Sequence, residues 1–371
     1  MLVGILKEIK VLERRVSMTP AGVIAMIKNG HEVIVEKDAG AGAGFPDAEY
    51  VAAGAKILDT PAEIYAAADM VMHVKEPQPS EYGMIRKDQI VFTYLHLAAD
   101  EQQTHGLIDS EAICIAYETI EKDNGSLPLL VPMSEVAGRM ASQEAAKYLE
   151  MPQGGMGVLM GGVTGVEPAT VVVIGGGVVG INAAKMACGL GAKVYILDTN
   201  LERLAYLDDV MPANCFPVMS NPAVLAELVA KADAVIGAVL IAGAKAPKLL
   251  TKEMLKTMKK GSVIVDVAID QGGCFETSKA TTHEEPTYEV EGVIHYCVAN
   301  MPGAVARTST AALTNATLPY AIEIANKGWK KAMQDNKEIK LGANVISGKV
   351  VYKAVSEAFG LDYTPVEEFL A

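Results

Sequence analysis

The segment from Thr170 to Asp198 constrains the fold more than any other. An apolar run, Thr170-Val-Val-Val-Ile174, leads directly into Gly175-Gly176-Gly177-Val178-Val179-Gly180, and Ile181-Asn-Ala-Ala-Lys-Met-Ala187 then reads as a helix. A G-x-G-x-x-G stretch between strand and helix has defined mechanics. Gly175 permits the tight turn, Gly177 lets the main chain approach a pyrophosphate, and Gly180 lets the helix pack on the strand. The helix N-terminus then faces the negative charge. The second run, Ala192 to Asp198, ends in a carboxylate eighteen residues after Gly180. A carboxylate there accepts a hydrogen bond from a ribose 2′-hydroxyl and repels a 2′-phosphate. NAD is therefore the expected cofactor, ahead of NADP.

Similar apolar runs recur at Leu2–Leu6, Glu32–Val35, Met70–Val74, Ile90–Leu95, Ala112–Tyr117, Ala234–Ala238, Ser262–Val267 and Gly292–Cys297. Unbroken Val/Ile runs suit strands buried on both faces. Helix signals lie between them. Thr19-Pro20 opens one helix and Gly30 closes it. Thr60-Pro61-Ala62-Glu63 reads as a capping box, and Thr251 to Lys260 is followed by Gly261. The alternation predicts an α/β protein with two Rossmann-like, doubly wound parallel-sheet domains. A Pro-containing connection at Ser126–Met133 and a long helical pattern from Arg307 to Lys327 set the expected boundaries. They give a discontinuous substrate domain, 1–130 plus 307–371, and an inserted NAD-binding domain, 131–306, with an interdomain cleft as the ligand site. The chain after Lys327 is expected to be helical. The Gly-rich stretch 154–165 is expected near the hinge. The Gly run after Asp38 is expected to be a loop, because Phe45-Pro46-Asp47 interrupts any immediate helix start.

Composition removes several function classes. Lys plus Arg is 32 against 45 Asp plus Glu, a formal net charge of −13, which argues against nucleic acid and against a polybasic membrane anchor. The most apolar stretch is interrupted by glycines and is too short for a membrane span. The opening residues do not read as a signal peptide. Five cysteines stand singly and no H-E-x-x-H occurs, so a reduced cytoplasmic protein without a metal site is expected.

Ligands of parallel α/β domains sit beyond the C-terminal strand ends. Arg14 and Arg15, Lys75, His96 and Asp270 all fall there. An arginine fork for a carboxylate, a second cation for a carbonyl, an imidazole and a carboxylate together suit an oxoacid site. Each has a plain alternative. Either arginine reads equally as a solvated charge, Lys75 as a strand-end charge, His96 as a satisfied structural histidine and Asp270 as a turn residue. His73 reads as ordinary strand structure, His105 and His283 as surface, and Cys114 and Cys297 as core.

As a set, these residues resemble the alanine dehydrogenase family. The resemblance runs through the opening Gly4 to Pro20, Val74-Lys75-Glu76-Pro77, Thr93-Tyr94-Leu95-His96-Leu97-Ala98 and Pro132-Met133-Ser134-Glu135-Val136-Ala137-Gly138-Arg139-Met140. It continues through Val265 to Gly273, Val298-Ala299-Asn300-Met301-Pro302-Gly303 and Arg307-Thr308-Ser309-Thr310. It covers essentially the whole chain. It implies reversible, NAD-dependent deamination of L-alanine to pyruvate and ammonium through an imine. By position, it implies that Arg15 binds the substrate carboxylate and Lys75 the carbonyl side, with Asn300 a further substrate contact. His96 is then the acid–base and Asp270 the second catalytic residue. The implied cofactor contacts, besides Gly175, Gly177 and Gly180, are Ser134, Val178, Asp198, Arg203, Ser220, Val239, Leu240, Val267, Ala268, Ile269, Asp270, Lys279, Val298, Ala299, Asn300 and Met301. Position 279 is Lys where the family commonly has Arg, which keeps the charge and loses the planar fork. Arg203, five residues past Asp198, is a feature that favours NADP, and Asp198 outweighs it. The resemblance also implies a cytoplasmic homohexamer acting on small molecules, with no nucleic acid or membrane partner.

The same motifs occur more loosely in the NAD-binding subunit of proton-translocating transhydrogenase and in saccharopine dehydrogenase. A non-catalytic NAD-binding module is the alternative of a different class. Retention of Lys75, His96 and Asp270 together speaks against it.

Overall fold

The computed structural model describes residues 1–239 and 247–371. The chain forms two compact units, Met1–Met133 with Val305–Ala371, and Ser134–Ala304.

Unit 1 begins with β1 (Leu2–Ile5), β2 (Glu32–Glu36), β3 (Lys56–Leu58), β4 (Met70–Met72), β5 (Ile90–Thr93) and β6 (Ile113–Ala116). These pair in parallel in the order β3-β2-β1-β4-β5-β6. Successive strand residues face opposite sides, so each strand feeds two cores. Val3, Ile5, Met70, Met72, Phe92 and Ile115 enter one. Ile34, Val71, Val91 and Cys114 enter the other. Thr19 caps the helix Pro20–Lys28, accepting from the Gly22 N–H. The Thr60/Glu63 capping box forms at the helix Pro61–Ala67.

Unit 2 contains β7 (Thr170–Ile174), β8 (Lys193–Asp198), β9 (Cys215–Met219), β10 (Ala234–Gly237), β11 (Val263–Asp266), β12 (Thr287–Val290) and β13 (Val293–Tyr296). The order is β12-β13-β11-β10-β7-β8-β9, parallel except for β12 at the edge. Omitting β12, it repeats the order of unit 1. In both sheets the direction of winding reverses beside the first strand, between β1 and β4 and between β7 and β10. Such a reversal opens a crevice at the C-terminal strand ends.

Several expectations need correction. The chain after Lys327 is not wholly helical. It supplies β14 (Ala343–Ile346) and β15 (Lys349–Val350), which extend the first sheet antiparallel from β6. Residues 154–165 lie inside unit 2. Their glycines let main chain approach main chain: a Cβ at Gly155 meets the Tyr148 carbonyl oxygen at 2.2 Å, and one at Gly161 meets that of Leu190 at 2.3 Å. The Gly run after Asp38 is a loop, as expected, with a single tight turn at Ala41–Ala43, and the next helix starts only at Asp47, beyond Phe45-Pro46. The Asp47 carboxylate accepts the Asp38 N–H at 2.9 Å and so supplies the loop's own anion. The run Met70–Val74 stops being a strand at Met72, which leaves His73 outside the ladder.

Candidate active site

In unit 1, Arg15, Lys75 and His96 leave β1, β4 and β5, three adjacent strands. Arg14 is exposed. Arg15 is 2% exposed, and Glu13 grips it through Nε (2.7 Å) and Nη2 (2.5 Å). Its Nη1 edge is turned towards the Met133 sulfur at 3.1 Å. A buried guanidinium with one edge fixed by a carboxylate keeps its charge and its plane. Those are the properties a second, substrate carboxylate requires.

The main chain of Lys75 is held on both sides. Its N–H donates to Glu8 Oε1 at 3.2 Å, and its carbonyl accepts from the Thr93 hydroxyl at 2.9 Å. His96 has φ 52°, in the left-handed region. The Glu118 carboxylate stabilises that bend by accepting the N–H groups of Leu95 (3.2 Å) and His96 (2.5 Å). Glu118 also lies 3.8 Å from His96 Nδ1. The imidazole stacks on Tyr94, with centroids 5.9 Å apart and planes at 4°. Half the side chain remains open to solvent (51%).

In unit 2 most of the described cofactor candidates end a strand or follow its C-terminal end. Gly175 takes φ 103°, and a Cβ there lies 2.8 Å from the Ala238 carbonyl, so the loops after β7 and β10 touch at the winding reversal. A Cβ on Gly180 lies 1.7 Å from the Gly175 carbonyl oxygen, so only glycine lets this helix pack so closely. Gly177 is different: a Cβ there meets nothing within 4 Å. It starts the helix Val178–Gly189, which no side chain caps. An uncapped helix N-terminus beside an open, Cβ-free cradle fits a dinucleotide pyrophosphate.

Asp198 ends β8, and its carboxylate accepts from Gly176 N–H (2.8 Å) and Asn200 N–H (2.9 Å). The Arg203 Nε donates to the Gly176 carbonyl and its guanidinium sits over Tyr206, so this cation is tied down locally. Ser220 follows β9 and its N–H donates to the Asp198 carbonyl. Val239 follows β10 and is half-buried. Leu240 lies outside the described residues.

Val267, Ala268, Ile269 and Asp270 form the exit from β11, with Asp270 exposed. Asp266 fixes this loop, accepting from Ala268 N–H (3.0 Å), Cys274 N–H (2.9 Å) and the Ser278 hydroxyl (2.5 Å). Val298, Ala299, Asn300 and Met301 form the exit from β13. Asn300 has φ 59°, and His283 Nε2 lies 3.2 Å from its carbonyl oxygen. Lys279 is exposed, with its N–H on the Tyr288 hydroxyl, and Ser134 is half-buried in the helix Val131–Tyr148. Among the described residues, no group of three or more His, Cys, Asp or Glu is placed to hold a metal ion, and no helix is long and apolar enough to cross a membrane.

Comparison with known proteins matches two family domains. The alanine dehydrogenase/PNT N-terminal domain matches residues 4–137 and the alanine dehydrogenase/PNT C-terminal domain matches residues 141–353. The chain belongs to the alanine dehydrogenase/PNT family. Relatives include an alanine dehydrogenase of Methanococcus maripaludis, 58% identical over 371 residues and all of both chains. One from Bacillus subtilis is 55% identical over all of this chain and 98% of its own. A solved L-alanine dehydrogenase superposes with TM-score 0.94 at 50% identity, covering 97% of this chain and 99% of that one. A transhydrogenase from Sinorhizobium meliloti superposes at 0.80 with 28% identity, covering 95% of this chain and all of its own. A nicotinamide dinucleotide is the cofactor type that goes with this family and fold.

Several supporting groups of this family member escaped the sequence reading: Glu8, Glu13, Tyr94, Glu118 and Asp266. Glu8 and Glu13 sit in the opening motif, but a sequence gives no sign that an acid in a charged stretch is buried. His73 is no ordinary strand residue. It lies 1% exposed between Glu8 and Glu81. His283 is half-buried against Asn300 rather than a plain surface residue.

Proposed function

We propose that the chain catalyses reversible oxidative deamination of L-alanine with NAD: alanine, NAD⁺ and water give pyruvate, ammonium, NADH and a proton. The observation that carries this reading is 58% identity to an alanine dehydrogenase across the full length of both chains.

The roles follow from the groups available. Arg15 holds the substrate carboxylate, which fixes the α-carbon in one orientation. Lys75 faces the amino or carbonyl side and favours its electron-rich oxygen. The bound nicotinamide supplies the two-electron acceptor for the α-hydrogen. His96 takes the proton that the amine must lose to become an imine, and returns it as water adds and ammonia leaves. Asp270 is the second catalytic group, guiding water to the imine carbon, and Asn300 is a further substrate contact.

For the cofactor, the cradle of Gly175, Gly177, Val178 and Gly180 takes the pyrophosphate. Asp198 takes the adenosine ribose, which favours NAD over NADP. Arg203, whose Nε is held by the Gly176 carbonyl, is a further proposed cofactor contact. Ser134, Ser220, Val239, Leu240, Val267 to Asp270, Lys279 and Val298 to Met301 are the remaining proposed contacts. The reading extends to a cytoplasmic homohexamer, which gel filtration tests by elution at six chain masses.

The test of the activity is NADH oxidation, followed by loss of near-ultraviolet absorbance, with pyruvate and ammonium together and with each omitted. Consumption that needs both supports reductive amination. No consumption with both, while NADH still binds, overturns it in favour of a transhydrogenase-like role.

A further inference from the structure

Beneath Lys75 lies a buried charged cluster that the reaction itself does not use. His73 Nδ1 lies 3.3 Å from Glu8 Oε1. On the opposite side of the ring, Nε2 lies 3.0 Å from the Tyr65 hydroxyl and 3.3 Å from Glu81 Oε1. Glu36, at the end of β2, completes the set and accepts the Lys7 N–H at 2.9 Å. Three carboxylates around one imidazole, all nearly out of solvent, are costly unless the ring carries a proton and every oxygen is engaged. Burial by itself favours the neutral ring. Glu8 and Glu81 outweigh it and lift His73 to about 10.

One side of the cluster reaches the main chain of Lys75. The Glu8 oxygen that meets His73 also accepts the N–H groups of Val74 (2.6 Å) and Lys75 (3.2 Å). These are the residues where β4 has left the sheet and its N–H groups have lost their ladder partners.

We propose that Glu8, oriented by His73, is the positioning residue for Lys75: it replaces the missing sheet carbonyl and so sets where the Lys75 ammonium stands. The proposal rests on the alanine dehydrogenase reading and adds a residue that acts only through Lys75. Glu8 touches neither substrate nor cofactor in this role. Its loss weakens engagement of pyruvate and leaves NADH binding unchanged.

The experiment compares Glu8→Ala with Glu8→Gln, which keeps one acceptor oxygen for the two N–H groups. Wild-type oxidation of NADH by pyruvate and ammonium is measured first. In Glu8→Ala the pyruvate KM rises at least ten-fold while NADH affinity, read by fluorescence titration, stays within two-fold. Glu8→Gln recovers most of that loss. In a Lys75→Gln background, Glu8→Ala adds nothing further to KM. An unchanged KM, or an undiminished extra loss in the Lys75→Gln background, overturns the proposal. Should Glu8→Ala fail to fold, Thr93→Val loosens the same residue from its carbonyl side. It is expected to raise KM three- to ten-fold, and no rise counts against the proposal. Should wild type be inert on pyruvate, the activity reading falls. The positioning is then read by hydrogen exchange in a peptide spanning Val74 and Lys75, faster in Glu8→Ala than in wild type or Glu8→Gln, and unchanged in Glu8→Ala if the proposal is wrong.

Discussion

Gly177→Ala separates cofactor binding from folding. Gly177 has φ −70° and ψ −165°, a conformation open to any L residue. A methyl there meets no protein atom within 4 Å. Two small effects on stability oppose each other: alanine restricts the unfolded chain by ~0.4–1 kcal/mol, and it is the poorer residue at a helix start by several tenths. The net change stays within ~1 kcal/mol, a melting shift of about 2–4 °C for a unit this size. A pyrophosphate on the helix N-terminus has no such freedom. The methyl pushes it off the main-chain N–H groups, and losing one or two hydrogen bonds to a charged group costs about 2–4 kcal/mol. NADH affinity is therefore expected to fall by about 30- to 1000-fold. Gly180→Ala is the contrast, because its Cβ lies 1.7 Å from a main-chain oxygen. The helix has to retreat by more than an ångström, at ~1–3 kcal/mol or more, so stability and affinity fall together. The assays are fluorescence titration of NADH and thermal melting. Normal NADH affinity in Gly177→Ala, or a melting loss as large as that of Gly180→Ala, refutes the assignment of this loop.

Other expectations follow from single groups. His96→Ala lowers turnover about 10²- to 10⁴-fold and leaves NADH affinity unchanged, and stopped-flow kinetics with NADH titration check both. Asp198→Asn keeps an acceptor for the Gly176 N–H and removes the charge. Two unit charges about 5 Å apart repel by ~1.7 kcal/mol at an effective dielectric of about 40, so kcat/KM with NADPH rises more than ten-fold. The His73 cluster makes stability depend on pH. Its folded value, about 10, stands above the unfolded value of about 6.5, so this contribution is fully present below pH ~6.5. It is lost as pH rises towards 10, at up to ~1.4 kcal/mol per pH unit. Urea midpoints at pH 7 and pH 9 should differ more for wild type than for His73→Asn, and equal differences count against a charged ring.

Legibility in the sequence followed the range of the interaction. The turn at Gly175, the close packing at Gly180 and the caps at Thr19 and Thr60 involve neighbours a few residues apart, so residue order alone announces them. Most strands were legible because Val/Ile runs have few other uses. The strands β3, β9, β12, β14 and β15 were not. Pro217 interrupts β9, β14 is a four-residue run after short helices, and β3 and β15 have only three and two residues. The positions of Arg15, Lys75 and His96 beyond strand ends were legible once the strands were placed. What holds those side chains was not, because Glu8 reaches Lys75 across 67 residues of chain and Glu118 reaches His96 across 22. Nothing local marks either acid as buried.

These acids obey one rule that resolves an apparent conflict. The chain carries thirteen more negative than positive charges, yet its ligands, a dinucleotide and a small carboxylate, are anions. Where a parallel strand ends, its next N–H groups lose their ladder partners and still have to be satisfied. In this protein carboxylates satisfy them: Glu36 for Lys7, Glu8 for Val74 and Lys75, Glu118 for Leu95 and His96, Asp198 for Gly176, and Asp266 for Ala268 and Cys274. Glu13 is likewise engaged by the Arg15 guanidinium. An anion whose oxygens already face donors repels a neighbouring ligand less than a bare one, because those donors offset its field at short range. Within each unit the local field is then set by fixed donors: in unit 1 the buried Arg15 guanidinium, and in unit 2 the uncapped helix start at Gly177. Net charge describes the surface, while placement of these few donors describes the site.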